Sequence, residues 1–270
     1  MTNNKQEKAT ISTLPTQMDL FLADFMDVAP KGDMKTMEYP LFSLQTKPDT
    51  EIFRYEYKGH SMEVIPGATG RATIFDKDLL LYCIGQLKMG EDNGREPLRK
   101  IRITAYDFLK STHRKTGGRQ YDLLASALVR LRGTTFKTTI MGSGSKRGKV
   151  FGLIESGELG ERGEDGRFVD MTVTLSEWLF DAVTDNAILK YNRDYFELRK
   201  PNERRMYEIC RKHCGAQQGW QIGLDNLYAK FGTRAKRKEF TRTLKTMVEQ
   251  QNIPDYQLTI DEDLLVVNPK

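Results

Sequence analysis

Apolar residues recur with helical spacing over residues 233–250. Phe240, Leu244, Met247 and Val248 fall at positions i, i+4, i+7 and i+8, which is one stripe of an amphipathic helix. Cationic side chains occupy much of the remaining helix surface. We expect the apolar side of this helix to pack on a core and its cationic side to face an anion.

The chain before residue 184 shows a mixture of strand and helix patterns. Asp76 is suited to cap a helix over residues 76–89, whose apolar residues share one stripe. Thr104 is placed to cap a second helix, Ala105–Ser111, and a glycine pair at 117–118 precedes a third. The strands predicted in this part are residues 39–44, 52–57, 62–65, 100–103, 134–140, 149–155 and 168–174.

The order strand, helix, helix and β-hairpin predicts a helix-turn-helix with an attached wing. The strands at 134–140 and 149–155, around the loop GSGSKRG, are interpreted as the first wing. The same order returns after residue 200 and ends with a hairpin of residues 256–260 and 264–267. The expected fold class is therefore α+β, with two tandem winged-helix domains.

An internal repeat supports this organisation, because the two units superpose in sequence at a constant offset of 119 residues. Apolar positions match across four elements, as expected when packing maintains a core while the surface diverges. The matched pairs are Ile103 with Ile222, Phe108 with Leu227, Tyr121 with Phe240, and Leu128 with Met247. Past the third helix the offset becomes 120, which pairs Ile140 with Ile260.

Three segments follow from these patterns. Residues 1–36 are predicted to be a flexible N-terminal segment, with a disordered tail over 1–15 and a short amphipathic helix near residues 19–26. Residues 37–183 form the N-terminal winged-helix domain, called the first unit. Residues 184–270 form the C-terminal winged-helix DNA-binding domain, called the second unit.

Positive charge is concentrated in the second unit. The chain has a net charge of +5, and residues 200–250 alone contain twelve Lys and Arg against five Asp and Glu. Such a concentration indicates a polyanion-binding face, since solvated helix surfaces usually mix both signs. The DNA-binding candidates in this unit are Arg234, Lys236, Arg237, Lys238, Thr241, Arg242 and Lys245.

Position along the helix suggests different roles for these residues. Arg234, Arg237, Lys238 and Thr241 lie in the N-terminal half, which reads base edges in the major groove, while Arg242 and Lys245 are placed for phosphates. The candidates in the first unit are Arg114, Lys115 and Arg119 near its third helix, and Lys146, Arg147 and Lys149 at its wing. The tip of the second wing is acidic, so we expect the second unit to bind DNA mainly through its third helix and not through its wing.

Motifs for catalysis are incomplete. The sequence SGSKRGKV resembles a phosphate-binding loop, but Ser143 replaces the first glycine, Val150 follows the lysine, and no helix is predicted after it. Cys210 and Cys214 share a helix face, yet no second ligand pair is evident, so both are interpreted as core thiols. Three scattered histidines provide no His-x-His pair for a rolling-circle nuclease. We predict no catalysis, no metal and no cofactor.

The chain contains no apolar run of the roughly 20 residues that a membrane span requires. The N-terminal residues lack the basic and apolar blocks of a secretory signal. We therefore expect a bacterial cytoplasmic protein without a membrane partner.

Three stretches carry a family resemblance: MEYPLFSL from Met37, FRYEYKG from Phe53 and GRATIFDKDLLLYCIGQL from Gly70. They resemble the plasmid replication initiator protein A family, from about residue 37 to the end. The second unit is also similar to iteron-binding initiators, in which a tyrosine-bearing helix precedes the DNA-reading one. The resemblance assigns DNA reading to Arg234, Arg237, Lys238 and Arg242.

The resemblance implies two winged helices that bind repeated double-stranded sites, the iterons, at a replication origin. It also implies origin opening with host initiation proteins and helicase, and a dimer–monomer equilibrium in which the dimer represses its own promoter. Two alternatives remain open at this point. One is a transcription repressor without an origin role, and the other is a catalytic initiator such as a nickase or primase.

Overall fold

The computed structural model describes residues 20–26, 28–57, 60–138 and 148–270, which form a mixed α+β fold. The strands are β1 (Phe21–Ala23), β2 (Lys31–Asp33), β3 (Phe53–Tyr57), β4 (His60–Ile65), β5 (Lys100–Thr104), β6 (Thr135–Thr138), β7 (Lys149–Phe151), β8 (Ile154–Leu159), β9 (Asp170–Leu175), β10 (Ile188–Lys190), β11 (Trp220–Gly223), β12 (Tyr256–Asp261) and β13 (Leu264–Pro269). The helices are α1 (Met34–Glu38), α2 (Lys77–Asp92), α3 (Ala105–Ser111), α4 (Gly118–Gly133), α5 (Glu177–Thr184), α6 (Pro201–His213), α7 (Leu224–Phe231) and α8 (Arg237–Gln250), with a 3₁₀ turn at Arg193–Glu197. Within these ranges no helix is both long enough and apolar enough to cross a bilayer.

The first unit is built on a four-stranded sheet in the order β1-β5-β9-β8. Buried residues alternate with exposed ones along β5 and with half-buried ones along β9, so one face of each strand packs on the core. Ile101 lies opposite Val173, and Ile103 lies opposite Met171. Helices α3 and α4 occur where they are predicted, and Tyr121 of α4 is buried.

The second unit contains a three-stranded sheet in the order β11-β13-β12. Along the sequence, α7 and α8 lie between β11 and β12. Ile222 lies opposite Leu265, as Ile103 lies opposite Met171 in the first unit. The helices α6 and α7 and the strand β11 between them supply the helices and the strand of the order predicted after residue 200. The strands β5 and β11 therefore each pair with the second strand of a following hairpin.

The interpretation of residues 134–140 and 149–155 as the first wing is wrong. β6 pairs with β4, and β7 pairs with β6, in a separate sheet of order β3-β4-β6-β7. The hairpin that joins the sheet of β5 is β8–β9 instead. Alternation along a strand reports which face is buried but not which strand lies beside it, so the pattern did not distinguish the two pairings. Ile140, matched to Ile260 above, lies outside the described residues.

The N-terminal segment also differs from the prediction. Phe21 and Ala23 are buried while Leu22 is 49% exposed, which is the period of a strand, and β1 pairs parallel to β5. The amphipathic helix predicted near residues 19–26 is therefore wrong for its described part. Further along the segment β2 pairs antiparallel with β10, so these described residues make tertiary contacts. The predicted tail over residues 1–15 lies outside the described ranges.

Two local predictions need smaller corrections. Residues 39–44, which follow the end of α1, do not form a strand. Their β-sheet pairing is limited to one isolated bridge, between Ser43 and Thr73. Helix α8 begins at Arg237 rather than at residue 233. The intervening turn follows Gly232, which ends α7 in a left-handed conformation at φ 67° and lies so close to Pro40 that a Cβ would clash.

Helix α2 joins the two units through buried charges. Lys77 Nζ lies 2.7 Å from Glu208 Oε1, and both side chains are almost completely buried. Asp78 pairs with Arg204 of α6 and also with Arg114, whose Nη2 lies 2.8 Å from its Oδ2. Buried charges of this kind need their partners, because an unpaired charge in a protein interior is costly.

A further contact between the units predicts a pH dependence of stability. Glu38 of α1 bonds to Lys230 of α7 and to His213 of α6. Burial disfavours the charged carboxylate, but the hydrogen bonds from His213 and Lys230 outweigh it and lower the pKa of Glu38 from 4.5 to about 2. The stabilisation is complete above pH 4.5, and we expect about 2–3 kcal/mol to be lost as the pH falls to 2.

Urea unfolding of the wild type and of Glu38→Gln at several pH values measures this effect. The difference in unfolding free energy between the two proteins should shrink steadily below pH 4.5. A difference that stays constant down to pH 2.5 would show that Glu38 does not contribute through its charge.

Candidate nucleic-acid interface

Helix α8 presents a row of cations on the side opposite its buried stripe. Phe240, Leu244 and Met247 are buried under it, as the sequence predicts. Lys238, Arg242 and Lys245, here called the cationic stripe, are exposed at positions i, i+4 and i+7. None of these three side chains has an ion-pair partner in the part of the chain that the structure describes. Their charge is therefore available to an external anion.

The start of α8 is organised by its own residues. Lys236 is the exposed residue before the first turn, and its backbone N–H donates to Glu239 Oε2 at 3.3 Å. Arg237 pairs with Asp225 of α7 at 2.8 Å and donates to Thr241 Oγ1 at 2.9 Å. Asp225 is itself 96% exposed, so this pair lies at the surface and holds α8 against α7 without immobilising Arg237 in a core.

Arg234 has a different position from the other candidates. It lies in the turn before α8, and its guanidinium reaches the first unit, where it pairs with Asp49 at 3.0 Å and contacts Glu51. It also lies over the ring of Phe53. In this conformation Arg234 connects the two units rather than extending from α8.

The candidates of the first unit are divided in a similar way. Lys115 and Arg119 are exposed near the start of α4, and Arg119 corresponds to Lys238 at the 119-residue offset. Arg114 is half-buried and donates to Asp78 and to the carbonyl oxygen of Phe75. Lys149 is exposed on β7, at the edge of the separate sheet. Lys146 and Arg147 lie outside the described residues.

The hairpin β8–β9 brings a further cation, Arg167, close to α4, and it carries a second one, Arg162. Arg167 lies over the ring of Tyr121 and donates to the carbonyl oxygen of Thr116 just before α4. Arg162 lies on the other side of the hairpin tip, where its backbone forms a β-bridge with Phe168. Because the first wing was assigned to other strands, nothing in the sequence pattern pointed to these residues.

Part of the positive charge counted over residues 200–250 is internal. Arg204, Arg205 and Lys230 are buried, and each bonds to carboxylates or carbonyl oxygens inside the fold. Cys210 and Cys214 are buried thiols, and burial raises the pKa of both. Across the described ranges, no three His, Cys, Asp or Glu side chains come together in an arrangement that would hold a metal ion.

The same fold occurs in two crystal structures of domains 2 and 3 of RctB. One covers 87% of this chain and 98% of the RctB chain, with a TM-score of 0.62 and 13% sequence identity. The other covers 87% and 96%, with a TM-score of 0.54 and 15% identity. At these identities the likeness concerns the fold, which is therefore the mixed α+β fold of the RctB domains.

The sequence itself identifies the family. The family model for replication initiator protein A matches residues 31–258, and the chain belongs to this family. It is also 37% identical over 260 residues to a protein of Wigglesworthia glossinidia brevipalpis named "Putative replication protein", covering 95% of this chain and 94% of the relative. These relations support a role in the initiation of replication and confirm the resemblance found in the sequence.

Proposed function

We propose that this protein initiates plasmid replication by binding repeated double-stranded sites at an origin, with α8 in the major groove. The observation that carries the proposal is the cationic stripe. It is exposed, it has no ion-pair partner among the described residues, and it lies on a helix whose other side is packed on a core. A helix of this kind fits the major groove, and in this proposal Lys238, which the sequence pattern placed with the base readers, contacts phosphate as Arg242 and Lys245 do.

We further propose that the two units are tandem winged helices, with the domain division at residues 183 and 184. The order β5-β9-β8 in the first sheet matches the order β11-β13-β12 in the second, which supports this division. In this proposal the first wing is β8–β9. The turn at Glu262 and Asp263 is acidic, so the second unit binds DNA through α8 rather than through its wing.

Family membership alone supports the remaining parts of the proposal. These are origin opening with host initiation proteins and helicase, a dimer–monomer equilibrium, repression of the protein's own promoter, action in the cytoplasm and the absence of catalysis. A footprint on DNA flanking the gene tests the central claim. Regularly spaced protections in one direction, about two helical turns apart, fit iterons, whereas a single palindromic protection fits a transcription repressor.

Replacing Arg237 with alanine is expected to relax sequence preference, because Arg237 is at the start of α8 where base edges are read. The loss should be about 1–3 kcal/mol on specific sites, with little change on random DNA. Titration of specific and random duplexes at fixed salt measures the difference.

Asp225→Ala is the matched control, since it removes the surface ion pair with Arg237 but leaves the cation in place. It should preserve the preference for specific sites. If Asp225→Ala relaxes the preference as much as Arg237→Ala, Arg237 acts by positioning α8 and does not read bases.

A further inference from the structure

A cavity of about 430 Å³ lies between the first unit and the start of the second. Its walls contain far more positive than negative side chains. The cations that line it are Lys47, Arg71, Arg114, Arg130, Arg199 and Arg204. Asp76 is the carboxylate among its described lining residues, and it is already bound by Arg130 through two hydrogen bonds of 2.7 Å.

Arg71 is the most unusual member of this wall. Its side chain is 1% exposed, and its Nη2 pairs with Asp49 at 3.0 Å. Its Nε and Nη1 are buried and have no hydrogen-bond acceptor among the described residues. Donors left in this state cost free energy that an external acceptor would recover. Arg71 also lines a second, smaller cavity that reaches the turn before α8.

The carboxylates around the cavity do not balance its cations. Asp49 serves both Arg71 and Arg234, and Asp78 serves both Arg114 and Arg204. Lys47 is exposed and has no ion pair among the described residues. Burial lowers the pKa of Arg71 to about 10 despite the opposing effect of Asp49, so it remains charged at neutral pH. The excess positive charge faces a concave space, where such a field concentrates anions.

The chemistry of the lining selects the kind of anion. Guanidinium groups present paired N–H donors that match the oxygens of a phosphate, and such charge-assisted hydrogen bonds are the strong ones. The exposed hydroxyls of Thr46 and Thr69 add neutral donors on the same wall. The volume is sufficient for a phosphate with an attached organic group.

We propose that this cavity binds a phosphate group, with Arg71 at its base and Lys47 and Arg199 at its rim. The phosphate belongs either to a free phosphate-bearing small molecule or to the backbone of bound DNA. The proposal is independent of DNA binding by α8, because none of the DNA-binding candidates on α8 is among the described residues that line the cavity.

Pyrophosphate is the probe for a free ligand, measured with the full chain by titration calorimetry and by the shift in unfolding temperature. The test variant is Lys47→Gln with Arg199→Gln, because both residues are exposed and their loss leaves the buried pairs intact. We expect the dissociation constant for pyrophosphate to rise about tenfold for each cation removed. Arg71→Gln should abolish binding if the variant folds.

The matched control is Lys100→Gln with Arg102→Gln, which removes one lysine and one arginine from β5, away from the cavity. It should leave pyrophosphate binding unchanged, and so should removal of the cationic stripe. A second arm measures binding of duplex DNA over a range of salt concentrations without pyrophosphate. If DNA supplies the phosphate, the salt slope should fall by about one in the cavity variant, because both cations contact the same phosphate.

The outcomes separate the sources and can overturn the proposal. Weakened pyrophosphate binding with an unchanged salt slope identifies a free ligand, and a reduced salt slope alone identifies a DNA phosphate. If the cavity variant matches the control in both arms, the cavity does not bind phosphate. Failure of the proposed function gives a different result. In that case removing the cationic stripe would not weaken DNA binding, while pyrophosphate would still bind in the cavity.

Discussion

Replacing Lys238, Arg242 and Lys245 together with glutamine is expected to weaken binding to double-stranded DNA by about 10²–10³-fold at 0.1 M salt. Each exposed cation that neutralises a phosphate releases a counterion, which contributes a salt slope of about 0.9 and roughly tenfold in affinity at this salt concentration. The three side chains have no ion-pair partner among the described residues. Their positive charge is therefore neutralised by DNA phosphates and not by groups of the fold. The slope of log K against log salt should therefore fall by about three.

Fluorescence anisotropy with specific and random duplexes at several salt concentrations measures both quantities. The matched control replaces Lys100, Arg102 and Lys190, again two lysines and one arginine, at exposed positions on β5 and β10. It changes net charge equally but should retain most of the affinity. If both triple variants lose affinity alike, net charge rather than the cationic stripe governs binding, and the proposed role of α8 is wrong.

Asp78→Ala is expected to destabilise the protein by about 3–5 kcal/mol. Asp78 is fully buried, and its carboxylate pairs with Arg204 of α6 and with Arg114. Arg204 is also buried, so removing the carboxylate leaves an uncompensated charge in the interior between α2 and α6. Urea unfolding, followed by circular dichroism, measures the change in unfolding free energy.

Two further variants test whether the destabilisation comes from the loss of the buried charge of Asp78. Asp78→Asn retains the size of the side chain but loses its charge, and it should reproduce most of the destabilisation. Asp122→Ala removes an exposed carboxylate from α4 and should change stability by less than about 0.5 kcal/mol. A loss below about 1 kcal/mol for both Asp78 variants would show that the buried pairs do not hold the two units together.

Local pattern was sufficient for most of the helices. The apolar stripe of residues 76–89 predicted α2, and the helix predicted after Thr104 has the bounds of α3. These features depend on contacts three or four residues apart, which are present in the sequence itself. The buried stripe of α8 was also predictable. Its start was not, because the chain leaves the left-handed Gly232 in a turn and α8 begins only at Arg237.

Strand partners were not predictable in the same way. Both the predicted first wing and β8–β9 have strand patterns, and only the partner of β6 decides which hairpin joins the sheet of β5. Residues 21–23 have too few positions to separate a helix from a strand, and the pairing with β5 settles the choice. In each case the deciding interaction joins residues that are distant in sequence.

The sequence by itself determined the family, the amphipathic helix α8 and the positive charge of the second unit. Only the tertiary structure decided which of those charges face outward. Arg204 and Lys230 look no different from Lys238 in the sequence, but the first two are buried with carboxylate partners and Lys238 is exposed. The physical reason is that a charge is available for binding only where no nearby group compensates it, and folding decides which groups lie nearby.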